Sequence, residues 1–122
     1  MLTWWTDTVT VYHRIEEKNE GKTTIRWERE VCSSCFYGSV TNRVRNGNSV
    51  SYINSQIVRL PHNTKGIKVG DIAVIGTVDD VIPDGDSGAK LVDKYKKHAF
   101  FVKVAKDNSR SGLPFPHYYG GE

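Results

Sequence analysis

A mostly β fold, a small antiparallel β-barrel or sandwich with at most one or two short helices, is predicted by three observations. Apolar and polar residues alternate with period two over much of the chain. Asn- and Gly-bearing turn signals separate those runs at hairpin spacing. The apolar run in IKVGDIAVIGTV, from Ile67 to Val78, is short and nearly continuous, as in a strand buried on both sides.

Each element follows from these signals. In TVTVYHRI, Val9, Val11, His13 and Ile15 share one face, with Thr8, Thr10 and Tyr12 on the other. In TTIRWEREV, Ile25, Trp27, Arg29 and Val31 alternate with Arg26, Glu28 and Glu30, which places the glutamates on the solvent face. Asn19 and Gly21 between these runs make them a hairpin. A third strand is expected from Cys35 to Val44, closed by a turn centred on Asn46-Gly47. The fourth, SVSYINSQIVRL, ends at Pro61, whose missing N–H cannot join a ladder. Gly70-Asp71 forms a turn into the fifth strand. PDGDSG is a loop by composition. AKLVDKYKK suits a short helix with Leu91, Val92 and Tyr95 inward, and HAFFVKVA is the last strand. The chain divides into a barrel-like domain over 1–105 and a tail over 106–122, whose aromatics pack on its own barrel or on a neighbour.

The totals bound the function. The chain has 122 residues, enough for one domain with a modest core. Its net charge of +3 falls short of the dense basic stripe of a dedicated nucleic-acid binder. No apolar run is long enough to span a bilayer as a helix, and MLTWWTDT lacks the basic start of a secretory leader. No membrane role and a cytoplasmic site of synthesis are therefore expected.

Candidate chemistry is sparse. Cys32 and Cys35 form C-S-S-C, but His13, His62, His98 and His117 stand singly, so no second half of a zinc site is recognisable. Structural thiols that can be dispensed with are the expectation. DDVIPDGDSG supplies Asp79, Asp80, Asp84 and Asp86 without the closing glutamate of a calcium loop, and reads as a solvated acidic turn. Neither G-x-S-x-G nor a phosphate-binding G-x-x-x-x-G-K occurs. Glu16, Glu17, Glu28 and Glu30 read as surface charges paired across strands. No enzyme activity, cofactor or metal is expected. Arg43 and Arg45, Lys94, Lys96 and Lys97, and Lys106 and Arg110 form basic clusters near turns. No aromatic that could stack on bases is interleaved with Arg43 and Arg45.

The order VTVYHR, IRWEREV, IVRLP, VGDIAVIGTVDD and KDNSRSG, followed by an aromatic and proline-bearing end, resembles the small head–tail connector proteins of tailed phages and prophages of Gram-positive bacteria. These are the head-completion, minor capsid and tail-completion proteins. The resemblance covers residues 8–120, and CSSC is not part of the pattern. It implies a β-barrel subunit of an oligomeric ring in the virion neck, assembled in the host cytoplasm. Its partners would be neck proteins on the portal and tail sides, with passing DNA met only nonspecifically. Interface residues expected on this reading are Arg43, Arg45, Arg110, Phe115, Tyr118 and Tyr119. The alternative is a small nucleic-acid-binding β-barrel.

Overall fold

The computed structural model describes residues 6–61, 64–95, 98–107 and 117–122. It is mostly β, with seven antiparallel strands and one short helix among the described residues. The elements are β1 (Asp7–Asn19), β2 (Lys22–Asn46), β3 (Ser49–Pro61), β4 (Ile72–Ile75), α1 (Ala89–Lys94), β5 (Ala99–Phe101), β6 (Val104–Asp107) and β7 (His117–Gly121). They form one sheet in the order β5-β4-β1-β2-β3-β7-β6.

Its two edges are successive pieces of one chain run. The expected last strand breaks at Val102-Lys103. Before the break it pairs with β4, and after it with β7. At the break Gly70 N–H donates to Val102 O (2.9 Å), Val102 N–H to Asp71 O (2.8 Å) and Lys103 N–H to Gly121 O (2.8 Å). The sheet curls until its ends are joined through the chain, giving a barrel-like form without a ladder between β5 and β6.

The two strands expected at 25–31 and 35–44 are one continuous strand, β2. The first half of β2 pairs with β1 and the second with β3, so it carries the sheet round the corner. The corner is CSSC. Val9 stands opposite Cys32 and Asp7 opposite Cys35, so β2 holds one extra residue there, and Ser34 takes a left-handed φ of 58°. This is a β-bulge, which bends a strand and raises its twist. Residues three apart in a regular strand face opposite ways. The bulge turns Cys32 and Cys35 to the same interior, where both are buried.

Two cores result. Val9, Val11, Cys32, Cys35, Val58, Leu60, Phe100 and Val102 fill the interior. Tyr12, Ile72, Val74, Val78, Ile82 and Leu91 form a second cluster on the opposite face, covered by the 76–88 loop and α1. β1 is therefore buried on both faces, with Thr10 and Tyr12 as enclosed as Val9 and Val11. The loop is pinned by side chains from below. Thr10 Oγ1 donates to Gly76 O (2.7 Å) and accepts from Val78 N–H (3.1 Å), and Tyr12 Oη donates to Asp80 O (2.6 Å). Trp27 Nε1 donates to Asp86 O (2.8 Å). β4 is buried on both faces, as its continuous apolar run predicts, and α1 turns Leu91 inward with Val92 and Tyr95 beside it.

Two boundaries differ from expectation. The β2–β3 turn is centred on Gly47-Asn48, because Asn46 pairs with Ser49, and only Gly47 has a positive φ (61°). Glycine at the first central position suits a turn in which only that residue must be left-handed. The expected division between residues 105 and 106 falls inside β6 (Val104–Asp107). β7 lies between β3 and β6 in the same sheet, and Gly120 and Gly121 are buried there. The end of the expected tail is thus a strand of the barrel.

Candidate assembly surfaces

Beyond the point where β7 stops pairing with β3, at Ile57, the β2–β3 hairpin continues as a two-stranded arm. Ladder pairing runs from Ser39–Gln56 to the turn at Asn46–Ser49. The root is enclosed, with Ile57, Val58 and Leu60 buried, whereas Tyr52 is 69% and Ile53 51% exposed. The period-two pattern continues past the barrel, where every β3 residue from Ser49 to Asn54 is exposed.

Register gives the arm two chemically distinct faces. Arg43 pairs with Tyr52 and Arg45 with Val50, so these four share one face. Val40, Val44 and Ile53 belong to the other. Arg43 and Arg45 are exposed, as expected, and neither makes an ion pair among the described residues. The aromatic missing beside them in sequence is supplied across the strand by Tyr52. Only knowledge of the turn residues, one position along from Asn46-Gly47, reveals that pairing.

The other expected interface residues are placed differently. Arg110 and Phe115 lie outside the described residues. Tyr118 packs against the interior core. Tyr119 lies in a row that crosses four strands: Phe36 opposite Arg59, Arg59 opposite Tyr119, and Tyr119 opposite Lys106. The Arg59 guanidinium stands 5.3 Å from the Phe36 ring centre and 5.7 Å from that of Tyr119, and Lys106 Nζ lies 5.8 Å from Tyr119. Stacked cations and rings of this kind stiffen a sheet. Both tyrosines hold the barrel's own strands together.

At one end of the barrel lies a charged network that the scattered histidines concealed. Asp71, fully buried at the Gly70 turn, accepts from Arg14 N–H (2.9 Å), Lys68 N–H (3.0 Å) and Lys68 Nζ (2.6 Å). His13 Nδ1 lies 3.4 Å from Asp71 Oδ2, and its Nε2 is 2.8 Å from Glu30 Oε1. A carboxylate at each ring nitrogen requires both to donate, which only the imidazolium does. Burial alone would lower the His13 pKa, but the two carboxylates outweigh it and hold it above the ordinary 6.5. Burial would raise that of Asp71, but hydrogen bonds from His13, Lys68 and the Arg14 amide hold it below 3.8. Glu30 is thus not on a free solvent face. Glu28 beside it binds Lys65, so these charges clamp the 64–71 connector onto β1 and β2.

The cysteines are both free. A hydrogen bond with Cys35, then burial, pushes the Cys32 thiol far up, so it stays protonated. Among the described residues no group of three His, Cys, Asp or Glu could hold a metal ion, and no helix is long and apolar enough to cross a membrane. An open depression of about 620 Å³, lined by Gln56, Lys90, Asp93 and Glu122 among others, brings together no nucleophile with a base.

The acidic loop divides its charges. Asp80 is held by Lys94 (2.7 Å) and the Tyr95 hydroxyl (2.8 Å). Asp86 Oδ1 accepts from Gly88 N–H (2.8 Å). Asp79 touches Arg29 at 3.0 Å yet is 95% exposed, Asp84 is exposed, and Val81 stands out at 85%. No family model, curated protein or solved structure matches this chain.

Proposed function

We propose that this chain is a non-catalytic structural subunit of a ring in the neck of a tailed phage, joining the capsid portal to the tail. The observation that carries this reading is the arm. An isolated two-stranded ribbon is marginal in water, and one bearing Tyr52, Ile53 and Val50 in the open is suited to being covered by another protein. A rigid barrel with a projecting, two-faced ribbon is a shape that links copies. Assembly would take place in the host cytoplasm, and the product would be part of the virion, with neck proteins on either side and DNA passing without sequence readout.

One observation favours the second reading, a small nucleic-acid-binding barrel. Tyr52 sits opposite Arg43 with Arg45 on the same face, a pairing of ring and cations suited to a single strand. Electron microscopy of the purified protein separates the two. Closed rings with a central channel, which join to tail-less heads, support the neck reading. A monomer that binds oligonucleotides with an affinity falling steeply as salt rises supports the other.

A further inference from the structure

We propose that the basic, aromatic face of the arm docks on the acidic 76–88 loop of a second copy of this chain. The inference rests on the ring reading and names the two surfaces that would close the ring. Charge is the first argument. From Phe36 to Val58 the chain carries Arg43 and Arg45 and no acid, while Gly76 to Gly88 carries four aspartates and no Lys or Arg. Apolar surface is the second. Val50 and Tyr52 lie on the arm face, at 41% and 69% exposure, and Val81 stands at 85% among the aspartates. Each patch has an apolar centre with charges beside it, basic on the arm and predominantly acidic on the loop, where Lys94 holds Asp80 and Arg29 touches Asp79 while Asp84 stays unpaired among the described residues.

The charges are also free to be used. Arg43, Arg45 and Asp84 make no ion pair among the described residues, and Asp79 remains exposed beside Arg29. One chain does not bring the two patches together. The loop is anchored on the first half of β2, through Gly85 N–H to Ile25 O and Trp27 to Asp86 O, whereas the arm is the far end of the same strand. A contact between different patches of two copies is heterologous, so every copy offers one free arm and one free loop. Such contacts repeat head to tail and close into rings when the rotation allows. A nucleic acid would need more than the two cations this face carries.

The test is charge exchange read by sedimentation velocity. Wild type should associate with rising concentration. R43E/R45E and D79K/D84K, each checked for retained β-type circular dichroism, should each associate roughly a hundredfold more weakly, because like charges now meet. Mixing the two variants should restore association, since each arm then faces a loop of opposite sign. If R43E/R45E fails to fold, R43Q/R45Q serves, with a smaller loss expected. Variants that assemble like wild type overturn this pairing while leaving the ring reading in place. Loss of association without rescue on mixing also overturns it. Unchanged self-association with lost binding of a single-stranded oligonucleotide would assign the arm to nucleic acid instead. A wild type still monomeric at about 100 µM overturns both the pairing and the ring reading.

Discussion

His13 is the residue whose surroundings say most about pH. It is enclosed by Asp71 from the β4 turn and Glu30 from β2, with Lys68 on Asp71 and Glu28 close by. Its folded pKa is raised above 6.5, so its contribution is complete below 6.5 and is lost as pH rises through the folded value. Asp71 is lowered below 3.8, so its contribution is complete above 3.8 and is lost as pH falls through its folded value. Wild type should therefore melt at a lower temperature at about pH 9 than at about pH 6, and His13→Gln should remove most of that difference. An equal alkaline loss in the variant would show that His13 is not its source. Gly70, at a φ of 98°, holds the turn that delivers Asp71. Gly70→Val should cost about 1–3 kcal/mol, read from denaturant midpoints, because a β-branched residue is strained there. The burial of the cysteines argues against the sequence expectation that they can be dispensed with. They are buried at 2% and 0% exposure in the interior core, so changing both to serine should cost about 1–3 kcal/mol for each hydroxyl left short of partners. An unchanged midpoint in that double variant would place them outside the core.

Among the elements, β7 departs furthest from what its sequence suggests. Aromatics and prolines made the 106–122 segment look like a docking tail, yet β7 bonds β3 on one side and β6 on the other. Deleting residues 117–122 should therefore unfold the barrel or lower its melting temperature sharply. A truncated protein with an unaltered melt would mean that β7 contributes nothing to the fold. The arm looked like ordinary core strands because period two does not reveal where a core ends. Local signals suffice for the Gly21 and Gly70 turns, the doubly buried β4, and α1 with Leu91 inward. What failed depended on partners distant in the chain. C-S-S-C broke the alternation and looked like a strand end, and only the pairing of Val9 with Cys32 shows a bulge. His13 and Asp71 looked solitary until the β1–β4 pairing placed them together. Tyr52 joined Arg43 only through the hairpin register.

The whole molecule is a barrel-like body with a cap on one outer face and a ribbon projecting from the sheet. The body is internally satisfied, and no buried side-chain nitrogen or oxygen among the described residues lacks a partner. Exposed apolar side chains lie on the ribbon (Val50, Tyr52, Ile53) and on the acidic cap (Val81), and also at Val31, Val69 and Val104. The central claim is that the arm serves assembly and not folding. It is tested most directly by joining Val40 to Ser55, which pair across the ladder, through an Asn-Gly turn in place of residues 41–54. Sedimentation velocity and thermal melting of this shortened protein are then compared with wild type. The account predicts an unchanged melting temperature and a monomer at concentrations where wild type forms rings. Rings formed as readily by the shortened protein would contradict it.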